Sequence, residues 1–117
     1  KVSDDDADLA PTTEDIVEGE GEPLEQGDTA VIHFALFRGD NLQPLDSSWE
    51  TDPFSITMEP EAVALQGMYE GMLGMKPGGR RAIIIPPEEG FGPDGRPDMG
   101  LPADTDMVLV IDLLGTL

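Results

Sequence analysis

The chain has 117 residues, and 25 acidic against 6 basic side chains give it a formal net charge of −19. That length fits one domain, and the charge excludes a protein that grips nucleic-acid phosphates or an anionic membrane through clustered Lys and Arg. No stretch approaches the ~18 apolar residues of a membrane span, and the absence of cysteine removes disulfides, thiolate metal sites and a cysteine nucleophile.

Residues 1–11 read as an acidic flexible arm. Asp4-Asp5-Asp6-Ala7-Asp8 has no apolar period and lacks the alternating ligands, central Gly and closing Glu of a calcium loop. The folded domain spans 12–117. Glu14–Val17 predicts a short edge strand, followed by a turn-rich link through Gly19, Gly21 and Pro23. Thr29–Phe37 is β-branched and aromatic, with Ile32, Phe34 and Leu36 on one face. Phe54, Ile56 and Met58 share one face of a second alternating run.

Pro60 suits the first position of a short helix, along which Ala62, Leu65, Met68, Tyr69 and Met72 recur at three- and four-residue steps. Gly67 and Gly71 weaken that helix, so packing must support it. Their spacing matches a membrane helix-pairing motif, but Tyr69 and Glu70 interrupt it and no apolar span surrounds it. Arg80–Pro86 predicts a strand whose continuous apolar run suggests burial on both faces. Glu88–Asp106, with four Gly and three Pro, reads as a long loop of the kind that carries function, and Met107–Leu114 as a central closing strand. Many strands and one short helix make the chain α+β.

Single residues add little chemistry. His33 has no second His or Cys with which to hold a metal, so it reads as structural. The six Met read as core filling, and Arg80 and Arg81 as partners of local carboxylates. Trp49 either rims a binding surface or packs beneath its loop.

The ordered set is more specific. Gly27-Asp28, Val31–Phe34, Leu45-Asp46-Ser47-Ser48 and Pro53-Phe54 are followed by Gly67–Met75 and Gly78-Gly79-Arg80-Arg81. Ile85–Glu88, Phe91-Gly92, Leu101-Pro102 and Val108–Leu114 complete it. Over about residues 14–114 this series resembles the FKBP-type peptidyl-prolyl cis-trans isomerases. The resemblance implies a twisted antiparallel sheet of about five strands wrapped around one short helix, with the active site in an apolar hollow between them.

It also implies site residues. Asp46 corresponds to a buried carboxylate beside the prolyl carbonyl, and the Leu65 backbone to the point that bonds the peptide. Phe34 stands as a wall and Phe91 as the roof. Leu45, Phe54, Ala64, Met68, Leu101 and Leu109 complete the substrate-binding set. No metal and no cofactor is implied, and the partners are proline-containing polypeptides met by a monomer, with no nucleic acid and no membrane contact by this segment. Met68 stands where Trp is usual, Phe91 where Tyr is usual, and Leu45 and Leu109 where aromatics are common. These departures predict a weakened isomerase with low affinity for macrolides such as tacrolimus or rapamycin. They also keep open a second reading, a non-catalytic chaperone or peptide-binding module using the same hollow. The acidic, cysteine-free chain suits an extracytoplasmic or cell-surface domain with an upstream anchor more than a cytoplasmic one, although a halophilic source would show the same acidity.

Overall fold

A computed structural model of the chain describes residues 12–63 and 65–117; the segment 1–11, read above as an acidic arm, and Ala64 lie outside the described residues. Six strands form one antiparallel sheet: β1 (Thr12–Val17), β2 (Thr29–Arg38), β3 (Pro44–Ser47), β4 (Phe54–Thr57), β5 (Arg80–Ile85) and β6 (Met107–Thr116). Helix α1 (Gln66–Met72) lies between β4 and β5, and two 3-10 turns, Pro87–Glu89 and Pro97–Met99, interrupt the long loop before β6. The strand order is β1-β5-β6-β2-β3, with β4 also paired to β2. No helix among the described residues is long and apolar enough to cross a membrane.

The ten-residue partners β2 and β6 form the spine, paired from Ala30 opposite Thr116 to Arg38 opposite Met107, with the register shifting by one residue between Val31 and Ile32. Alternation then sorts the side chains. Ile32, Leu36, Ile83, Ile85, Met107, Leu109, Ile111 and Leu113 are buried on the face that α1 covers. The opposite face carries Ile84, which is 41% exposed. Burial of β5 on both faces is therefore corrected: among the described residues one helix covers one face of the sheet, and the other face stays open at Ile84.

The sixth strand arises because the free edge of β2 is shared. β3 pairs with Ala35–Phe37 and β4 with Thr29–Ile32, leaving the stretch around Phe34 to the loop between them. There Ser48, buried, substitutes for a strand: its N–H donates to the Phe34 carbonyl at 3.0 Å, and its Oγ accepts from the Phe34 N–H at 2.8 Å. His33 projects to the other face, where its Nδ1 lies 2.8 Å from the Ser48 Oγ and its ring stacks on Trp49 with centroids 4.2 Å apart. That contact supports the structural reading of His33; Trp49 packs on its ring yet stays 47% exposed, which fits a rim position as well as a packing one.

The helix begins later than Pro60. Residues 60–63 turn, with the Ala62 N–H bonded to the Glu59 carbonyl at 2.9 Å and Val63 drawn into the core, and Leu65 is still extended at φ −115°. Seven residues make a marginal helix, and no side chain caps its start. Its end is held instead by Arg81, whose Nη1 donates to the carbonyls of Gly71 (2.8 Å) and Leu73 (2.9 Å) while its Nε bonds Asp15 at 2.7 Å. Gly67 and Gly71 face β5. A Cβ on Gly67 would meet Ile85 Cγ2 at 2.8 Å, and one on Gly71 would meet Ile83 Cγ2 at 2.6 Å. The small-residue spacing thus serves the approach of helix to sheet.

Candidate active site

Between α1, the shared edge of β2 and the long loop lies an open cavity of about 230 Å³. Its walls follow from alternation. Phe34 and Leu36 come from β2, Phe54 and Ile56 from β4, and Leu109 from β6 opposite Leu36. Leu65 and Met68 enter from the start of α1, and Phe91 and Met99 from the long loop. Asp46, on β3 opposite Leu36, is the one ionisable group in this lining. Phe34 and Phe54 meet edge to face, with centroids 5.6 Å apart and planes at 82°, an arrangement aromatic pairs prefer.

Seven of the ten residues inferred from the sequence meet in this one cavity: Phe34, Asp46, Phe54, Leu65, Met68, Phe91 and Leu109. Ala64 lies outside the described residues. Leu45 and Leu101 are absent from the lining. Leu45, half-buried, turns toward Gly100, and Leu101 is locked into the core by a two-way backbone bridge with Arg96, each bond 3.0 Å long. The carboxylate is also corrected. Asp46 is exposed at the mouth, with its Oδ1 accepting the Ser47 N–H at 2.8 Å, because β3 is a four-residue strand at the edge of the sheet.

Three lining residues were missed. Leu36 and Ile56 lie two positions beyond Phe34 and Phe54 on faces already assigned, so period two identifies them. Met99, at the end of the second 3-10 turn, carries no such signal.

The loop above the cavity is tied by local bonds. Arg96 pairs with Asp98 through Nε–Oδ1 and Nη2–Oδ2 contacts of 3.2 Å, and that hydrogen bonding holds the Asp98 carboxyl below its usual range. The Arg96 guanidinium carbon stands 5.0 Å from the centre of the Phe91 ring. Glu89 is the opposite case: its Oε1 is buried without a hydrogen-bond partner, and burial together with Glu70 and Glu88 raises its carboxyl above the usual range. Among the described residues every base is engaged: Arg38 with Asp40, Lys76 with Glu18, Arg80 with Asp112, Arg81 with Asp15, and Arg96 with Asp98.

The lining holds no nucleophile with a neighbouring base, and no group of three or more His, Asp or Glu suited to a metal occurs among the described residues. The arrangement offers a mostly apolar, aromatic-walled hollow with one carboxylate at its edge.

Known proteins bear on this geometry. A family model described as FKBP-type peptidyl-prolyl cis-trans isomerase matches residues 20–114. The chain is 36% identical over 101 residues to a probable FK506-binding protein of Corynebacterium glutamicum, covering 86% of this chain and 81% of that one. It is 32% identical over 102 residues to an FK506-binding protein of Neisseria meningitidis serogroup B, covering 86% and 91%. Among solved structures, the N-terminal domain of FKBP42 from Arabidopsis thaliana superposes with a TM-score of 0.83 at 19% identity, over 92% of this chain and 87% of that one, which speaks to the fold alone. The crystal structure of FkpA from Escherichia coli superposes with a TM-score of 0.76 at 27% identity, over 91% of this chain and 47% of that one.

Proposed function

The chain belongs to the FKBP-type peptidyl-prolyl cis-trans isomerases, and from that premise we propose that the cavity beneath the long loop is where it turns Xaa-Pro bonds, with Asp46, Phe34, Phe91 and Leu65 as the acting groups. The reaction asks little of ionisable chemistry. Rotation about the imide faces ~18–20 kcal/mol because the planar C–N bond has partial double-bond character. The two isomers differ by only ~0.5–1 kcal/mol, so the protein supplies rate and not direction.

A catalyst here must favour the twisted amide, whose charge separation is lower than that of the planar one, and an apolar hollow does so by excluding water. Phe34 and Phe54 at their edge-to-face angle, with Leu109 beside them, give the prolyl ring a wall. Met68 is the floor and Phe91 the roof. Asp46, at the mouth, polarises the bound group, and the backbone at Leu65 holds the peptide. The observation that carries the reading is the convergence of Phe34, Phe54, Phe91 and Asp46 from four separate segments on one hollow. Its size also suits a single ring: about 230 Å³ falls below the ~300–1,000 Å³ of sites that enclose drug-sized ligands.

That volume, the soft Met68 floor and the missing roof hydroxyl support weak binding of the macrolide from which its relatives take their names. The reading extends to a monomer that acts on proline-containing polypeptides outside the cytoplasm, which light scattering and cell fractionation would check.

The deciding experiment is the cis-to-trans rate of a short Leu-Pro peptide by exchange NMR. Wild type should accelerate it, and Asp46→Ala should lower kcat/KM by about tenfold, the scale of one charge-assisted hydrogen bond, with an unchanged melting curve. Equal acceleration by both proteins would remove Asp46 from the mechanism.

A further inference from the structure

Arg96 does not line the cavity, yet three contacts bind it to the loop that roofs it. Its main chain exchanges two 3.0 Å hydrogen bonds with Leu101, which is anchored in the core. Its side chain is clamped on Asp98 by two 3.2 Å contacts. Between these anchors, its guanidinium stands 5.0 Å from the centre of the Phe91 ring, whose carbon atoms line the cavity.

We propose that Arg96 is a positioning residue for Phe91, fixing the roof ring before a peptide arrives and so setting the affinity of the site rather than the rotation step. This rests on the reading of the cavity as the isomerase site. Phe91 follows Gly90 and precedes Gly92, which takes a left-handed φ of +89°, so the main chain beside it is lightly constrained. A ring without a hydroxyl can be held only through its faces and edges. A guanidinium is the side chain suited to a ring face: flat, permanently charged, and attracted by the ring's negative face. Asp98 adds direction, since a paired guanidinium has lost much of the rotamer freedom it would otherwise keep. A roof ordered in advance lowers the ordering cost of binding, which places its effect in KM.

The test is a double-mutant cycle by exchange NMR on a Leu-Pro peptide, using wild type, Arg96→Ala, Phe91→Leu and the double variant. Arg96→Ala should raise KM about two- to fivefold, the scale of an exposed cation–π contact, with kcat essentially unchanged. In the Phe91→Leu background the same substitution should add nothing, and Arg96→Lys should recover part of the loss in wild type. Melting temperatures should agree, because the backbone bridge to Leu101 survives every one of these changes. Equal cost in both backgrounds, no cost in wild type, or a loss confined to kcat would overturn the proposal. Failure of the underlying reading looks different: Phe91→Leu and Asp46→Ala would then both leave activity intact.

Discussion

On one side of α1, Gly67 and Gly71 bring the helix so near β5 that a single methyl would strike Ile85 or Ile83. On the other side, Met68 faces a hollow of about 230 Å³ edged by Phe34 and Phe54. Seven residues thus serve two opposite requirements. The glycine face gives up side-chain volume and helix propensity to gain contact; the Met68 face gives up contact to leave room for a guest. The difference teaches that the hollow is not a packing defect. It stands next to a close helix-to-sheet approach, and that approach fixes the helix against which the hollow opens.

The largest expected effect comes from breaking the tight side. Gly71→Ala gains helix propensity but drives its methyl into Ile83, and overpacking of this kind typically costs about 1–3 kcal/mol. Urea unfolding should show a lower midpoint with an unchanged slope. Combined with Ile83→Ala, the loss should fall short of the sum of the two single losses, because the second substitution removes the atoms the first one strikes. An additive result would mean the helix stands further from β5 than described.

On the open side, Phe91→Tyr should sharpen the contrast without touching the core. Restoring a hydroxyl donor at the roof should tighten binding of tacrolimus by about 0.5–1.5 kcal/mol, up to about tenfold, read by titration calorimetry. Stability should stay put.

The smallest effect belongs to Glu89, whose Cβ lies 3.2 Å from where a Gly67 Cβ would stand. Burial, with Glu70 and Glu88, raises its carboxyl above the ordinary value, so the folded chain binds that proton more tightly than the unfolded chain does. Its charge therefore costs stability at neutral pH, and the cost fades as pH falls through the raised value toward the ordinary one. Glu89→Gln should melt on the order of 1–2 °C higher at pH 7, with the gain vanishing near pH ~4, where glutamate normally titrates. A gain constant across that range would locate the effect elsewhere.

Much of this contrast was legible in residue order. Alternation placed Phe34 and Phe54 on inward faces, and the resemblance of the series from Gly27-Asp28 to Leu114 supplied the hollow between helix and sheet. What escaped was set by contacts distant in sequence. The split of one edge into β3 and β4 depends on Ser48 reaching Phe34, a pairing that a lone Ser does not announce. The exposure of Ile84 depends on how many helices cover the sheet, which an apolar run cannot report. The Gly67–Gly71 spacing was visible, but its partner, the pair Ile83 and Ile85, lies in another segment. Arg96 and Phe91 meet only because a bridge to Leu101 folds the loop back on itself.

The Ser48 tie has a consequence for hydrogen exchange. The Phe34 amide is protected by the hydroxyl of one loop residue, where most neighbouring amides of the sheet are protected by a strand. Its deuterium uptake should therefore follow the opening of the 48–53 loop alone, well ahead of amides that wait for β2 and β6 to separate. Phe34 also lines the hollow. A peptide that settles there should slow exchange at this position, giving a label-free signal of occupancy inside the wall itself.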